Sequence, residues 1–185
     1  MGADIHALVM VKQNRYKHDG NSVVVDGADW KMVNLWQKTS SFCATGGKGP
    51  EFLPAECFYN RDYQLFGVLA GVRSNEYPML DDNLRGLPDG CPQEIVDYVE
   101  KSWKDCAHSI TWYSLGELNK AVKDKKKYPK HPYWYDDCGR KHVDKAAYGP
   151  HYGLKSFRDS VEAFAASSWF WNSDEDVRVV IFFDS

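Results

Sequence analysis

Asp4-Ile5-His6-Ala7-Leu8-Val9-Met10-Val11-Lys12 is the stretch that decides the fold. After its polar opening the run is apolar at consecutive positions, which suits a strand buried on both faces rather than an exposed edge. Val177 to Phe183 repeats that character at the far end of the chain and is followed by Asp184. Strand side chains alternate with period two, so Asp4 and His6 share a face, as do Arg178, Val180, Phe182 and Asp184. Laid side by side and antiparallel, the start of one strand meets the end of the other. Two carboxylates and an imidazole then gather at one sheet edge.

Outward from these strands, His18-Asp19-Gly20-Asn21 is turn chemistry and Val23-Val24-Val25 a short strand. Residues 39–50 are rich in Ser, Thr, Gly and Pro and predict a loop. Within it Thr45-Gly46-Gly47-Lys48-Gly49-Pro50 lacks the Walker spacing and any hydroxyl residue after the lysine, so it is expected to be a turn. Asn60 is placed to cap a helix to about Val72, striped by Leu65, Leu69 and Val72. Pro92 opens a helix striped by Ile95, Val96, Val99 and Trp103. Residues 105–111 are expected to be a loop, and Ser114-Leu115-Gly116-Glu117 is a capping box opening the next helix. Residues 128–153 have no clear period and predict a long aromatic loop or insertion. Phe157, Val161, Phe164, Ala165 and Trp169 mark a last helix.

Strands at the two ends, helices between them and little βαβ alternation give an α+β single domain over residues 1–185. Its sheet should be mixed or mainly antiparallel, with the N- and C-terminal strands central and about four helices packed on it.

The chain has 185 residues, enough for one sizeable core, and 15% aromatic residues argue against disorder. A net charge of −3 gives no long-range attraction to a long nucleic acid. A small anionic ligand held by local arginines remains compatible with it. Cysteines 43, 57, 91, 106 and 138 are odd in number and form no C-x-x-C pair, which predicts ordinary thiols rather than disulfides or a thiolate zinc site. No signal-like start and no run of roughly 20 apolar residues is present, so the expected compartment is the cytosol, without membrane association.

Three groups carry candidate chemistry. Asp4, His6 and Asp184 suit acid–base work or a divalent metal, or equally a hydrogen-bonded trio that fixes strand register. Asp105, His108, Ser109 and Thr111 suit a loop aimed at a ligand, or equally an Asx-type turn anchored by His108. Arg61, Arg73, Arg85 and Arg178 offer guanidinium forks for phosphate or carboxylate, with Tyr63 and Trp112 placed to stack on a base. His131, Asp136, Asp137, Cys138, His142 and His151 match no familiar zinc spacing.

Taken in order, Asp4-Ile5-His6, Asn60-Arg61-Asp62-Tyr63-x-Leu65-Phe66, Leu69-Ala70-Gly71-Val72-Arg73, Arg85-Gly86-Leu87-Pro88, His108-Ser109-x-Thr111-Trp112 and Phe182-Phe183-Asp184 form a set. That set resembles a family of small, largely uncharacterised proteins of tailed bacteriophages and prophages. The likeness covers most of the chain outside about residues 14–55 and 124–155. Ala3 stands where the family often has Cys, Cys106-Ala107 where it has a Gly before the His, and Ser185 where it ends in Asn. The resemblance implies a phage accessory protein, a class that includes proteins that sequester or cleave nucleotide signals of host defence. Asp4, His6, Asp105, His108 and Asp184 would then be catalytic. Arg61, Tyr63, Arg73, Arg85, Ser109, Thr111, Trp112 and Arg178 would bind the ligand. A nucleotide sponge without chemistry and a protein-binding inhibitor of a host factor are the alternatives.

Overall fold

Strand β1 (Asp4–Asp19) turns through Gly20 and Asn21 and returns as β2 (Ser22–Met32). Gly20 has φ 61°, as the first central residue of a type II′ hairpin turn requires. In this computed structural model residues 3–33, 36–38, 52–135, 138, 140–167 and 171–184 are described. The loop expected at 39–50, with its glycine–lysine turn, lies outside them, as does Trp169. Both arms of the hairpin run longer than the expected 4–12 and 23–25. Their outer part is solvated, which is why it lacks the apolar signature of the buried part.

Short strands β3 (Trp36–Lys38) and β4 (Phe52–Pro54) pair with each other. Helix α1 (Tyr63–Ala70) follows. Its cap is Asp62 rather than the expected Asn60: the Asp62 carboxylate accepts from Leu65 N–H, and Gly71 closes the helix in the left-handed region. Helix α2 (Gln93–Asp97) continues without a break into a π-helical turn, Tyr98–Trp103; Lys104, at φ 47°, then breaks the helix and opens a 3-10 turn, Lys104–Cys106. Strand β5 (His108–Ser114) comes next, where a loop was expected. Its Ile-Thr-Trp-Tyr run is good strand composition, but a bulge between His108 and Thr111 breaks the alternation. Ser114 and Glu117 form the expected capping box at the start of α3 (Leu115–Lys123).

The region expected as a long loop instead holds an antiparallel ribbon, β6 (His131–Tyr135) with β7 (Lys141–Tyr148). Helix α4 (Pro150–Ala166) begins directly afterwards, several residues ahead of its apolar stripe, with Pro150 in its first turn. Strand β8 (Val177–Asp184) completes the main sheet.

The four-stranded sheet has the order β2-β1-β8-β5 and every pairing is antiparallel. The first and last strands are therefore the central pair, and the fold is α+β. On one face Ala7, Val9, Val11, Val179, Ile181 and Phe183 pack with Leu65, Phe66 and Leu69 of α1, Leu118 of α3, and Phe157 and Val161 of α4. On the other, Leu8, Met10, Val180 and Phe182 pack with Ile95, Tyr98 and Val99. Covering both faces explains the unbroken apolar runs of β1 and β8. Beyond the end of β2 the outer edge of β1 is still occupied: Val33 N–H donates to Val9 O and Cys57 N–H to Ala7 O. That second contact brings the neighbouring Glu56 to the sheet.

Candidate functional site: a buried histidine between carboxylates

In the β1–β8 register Asp4 lies opposite Asp184 and His6 opposite Phe182. Asp4 N–H donates to Asp184 Oδ1 at 2.9 Å, so the aspartate at the end of β8 fixes the backbone at the start of β1. Both Asp4 oxygens accept from Arg61, from its Nε and, at 2.7 Å, from its Nη2. This fork holds the Asp4 carboxyl below the usual carboxylate range.

His6 is buried, and its ring lies 4.1 Å from Trp103 and 4.6 Å from Phe182, centroid to centroid. Its Nδ1 is 2.8 Å from Glu56 Oε1, and the Tyr98 hydroxyl donates to the same oxygen at 3.1 Å. A carboxylate only accepts, so Nδ1 carries the hydrogen and the lone pair of a neutral His6 falls on Nε2. Nε2 is buried, has no hydrogen-bond partner among the described residues and lies 3.9 Å from Asp184 Oδ2. Glu56 itself is buried, and its backbone N–H donates to the Tyr59 hydroxyl at 3.1 Å. Burial and the adjacent Glu56 carboxylate both push the Tyr98 phenol above its ordinary value.

The π-helical turn supplies both Tyr98 and Trp103. In such a turn the hydrogen bonds span five residues, as from Lys104 N–H to Val99 O. Residues five apart are thereby brought toward one another, with the Tyr98 and Trp103 rings 6.3 Å apart. Trp103 meets the imidazole, while the Tyr98 hydroxyl meets the carboxylate that holds it.

The other sequence-derived candidates lie elsewhere. His108 is in register with Phe183 and its ring lies 6.2 Å from the Phe183 ring, which belongs to the opposite face of the sheet from His6. Two strand spacings put the backbones of His6 and His108 about 10 Å apart. The sheet stands between their side chains. His108 Nδ1 is 3.0 Å from the hydroxyl of Ser109, a residue held at φ 52°. Asp105 is exposed in the 3-10 turn, beside a 540 Å³ surface cavity that Lys104 and Ile110 also line. Thr111 is fully buried, and its hydroxyl accepts from Arg85 N–H.

Arg85 spends its guanidinium on Asp81, the Trp112 carbonyl and both oxygens of Glu117. Arg73 is exposed at φ 61° in the turn after α1, and Tyr63 is exposed at the start of that helix. Arg178 and Trp112 lie on the His6 face but toward the opposite end of the strands. Four residues of β8 separate Arg178 from Phe182, about 13 Å.

The structure thus gathers Asp4, His6, Asp184 and Arg61, and adds Glu56, Tyr98 and Trp103. Glu56 was not among the sequence candidates. Its one signal is a single charged residue within the apolar run Phe52-Leu53-Pro54-Ala55-Glu56-Cys57-Phe58. Among the described residues no group of three or more His, Cys, Asp or Glu side chains is arranged to hold a metal ion. Of the 128–153 candidates, the side chains of His131 and His142, and all of Asp136 and Asp137, lie outside the described residues; Cys138 is exposed and His151 buried. No described helix is long and apolar enough to cross a membrane. Comparison with protein-family models, with curated proteins and with solved structures finds no match.

Proposed function

We propose that the chain binds and hydrolyses a phosphate-containing nucleotide, as a phage or prophage accessory protein acting against host defence. The His6–Asp184 pair carries this reading. Glu56 fixes one nitrogen of the imidazole, and the other faces a carboxylate that is partly open to solvent. Two acceptors 3.9 Å apart suit a water whose hydrogens they would share, and contacts of this kind tighten when substrate binds. Asp184 or His6 Nε2 would take the proton from that water as its oxygen bonds to phosphorus. The P–O bond to the departing oxygen breaks, and that oxygen takes back the proton from the base or takes one from solvent. Arg61, the exposed guanidinium at the rim, would exchange part of its hold on Asp4 for a phosphate oxygen. Tyr63, exposed two residues on, would stack on a base.

Incubation with cyclic and linear nucleotides, with and without divalent metal, followed by chromatography, tests this. Turnover should fall at least about a hundredfold in Asp184→Asn and in His6→Gln, the scale of a lost acid–base group. Intact nucleotides under every condition would rule out hydrolysis.

The burial of Nε2 favours a second reading, capture of a nucleotide without chemistry. In that case ligand that copurifies is recovered unchanged after heat denaturation.

A further inference from the structure

Arg178 presents a separate feature. Its guanidinium carbon lies 4.1 Å from the ring centroid of Trp30, on β2, and 4.3 Å from that of Trp112, on β5. All three side chains are half-buried. The strands on either side of the β1–β8 pair each supply one indole, and the cation lies between them. Among the described residues the guanidinium makes no hydrogen bond or ion pair, and its Nε is buried and unpartnered. Glu117, Glu175 and Asp89 act on it only through space, and burial holds its pKa below the usual arginine range.

A half-buried cation whose donors meet no acceptor is costly, because each desolvated donor goes unused. Arg85, beside the same Trp112 ring at 4.9 Å, shows the contrast, since carboxylates take up its fork. Stacking against two indoles occupies the faces of a guanidinium and leaves its N–H edges for a ligand in its plane. Lys12, exposed and in register with Trp30, adds a second positive charge on this face.

We infer that Arg178, clamped between Trp30 and Trp112, is an oxyanion-binding subsite distinct from the His6 centre, and that it takes a phosphate group through the bidentate edge of the guanidinium. The two indoles set the plane of the fork, and Lys12 adds to the attraction.

The two tryptophans also report on the site. Inorganic phosphate, titrated at constant ionic strength against chloride, should change tryptophan emission saturably and raise the melting temperature. Arg178→Lys keeps the charge but loses the fork, and should weaken binding by about tenfold. Arg178→Gln should abolish it; if that variant does not fold, the lysine variant decides alone. A response no different from chloride, or equal affinity in Arg178→Lys, would overturn the assignment. Both readouts are binding measurements, so the result is independent of whether the His6 centre turns over any nucleotide.

Discussion

Glu56 accepts the Nδ1 hydrogen of His6 at 2.8 Å across fifty residues of sequence, in a site where both side chains are buried. The same carboxylate oxygen also accepts from the Tyr98 hydroxyl. One acidic residue therefore orients the imidazole and ties the π-helical turn to the sheet.

Removing that carboxylate leaves two buried donors without an acceptor. Glu56→Ala should lower unfolding free energy by about 2 kcal/mol, the sum of two unsatisfied groups at the low end of their range. Glu56→Gln, which keeps an acceptor oxygen, should cost less. Urea denaturation of both variants checks this, and an alanine variant as stable as the parent would mean that the bond contributes nothing.

Asp4 offers a test by titration. Its folded pKa is depressed by Arg61 below the ordinary 3.8, so the pair stabilises the fold above that pH and loses its effect as pH falls through the folded value. Arg61→Ala should move the Asp4 carboxyl resonance in a pH series back toward 3.8. Both side chains are largely exposed, so the melting temperature at neutral pH should hardly change.

Glu117 titrates in the same sense for a different balance of causes. Burial pushes its carboxyl up, but the Arg85 fork and the Ser114 backbone N–H together outweigh burial and hold the pKa below 4.5. Stability should therefore decline as pH drops beneath 4.5 in the parent, and less steeply in Glu117→Gln. Identical acid limbs for the two proteins in thermal melts would contradict this assignment.

Gly67 sits inside α1, where alanine would ordinarily help by roughly 1 kcal/mol. Here an added Cβ would lie 2.4 Å from the Ser74 carbonyl oxygen, a backbone atom that cannot swing aside. Gly67→Ala is expected to destabilise, reversing the sign of the helix preference. A raised melting temperature would show that the 71–74 turn yields easily.

The described thiols should separate by reactivity. Burial raises the Cys57 thiol far above its ordinary value and takes Cys91 to about 11, whereas Cys106 and Cys138 are exposed. Peptide mapping after brief alkylation should find 106 and 138 modified first and 57 last.

What the sequence made legible followed from periodicity and local chemistry. The doubly apolar runs identified β1 and β8 as central, and their parity placed Asp4, His6 and Asp184 together. The Ser114–Glu117 cap needed only four neighbouring residues. Glu56 reaches His6 because Cys57 hydrogen-bonds to the β1 edge, a tertiary contact with no periodic trace. The side of the sheet that His108 occupies depends on register across the bulge in β5, which spacing along the chain does not encode. Arg85 and Arg178 are the same residue type with opposite circumstances, one saturated by carboxylates and one flanked by indoles. Only packing distinguishes them.

The β1–β8 pairing also governs how the molecule is made. On one side β1 pairs with β2 through a tight hairpin, but its other hydrogen-bonding neighbour comes 180 positions later, at the Asp4–Asp184 contact. Until the ribosome has delivered that segment, the apolar flanks of β1 cannot be fully sealed, and closing so long a loop is slow. Completion of the sheet is accordingly a late event, and until then the open edge of β1 is a surface on which other strands could pair.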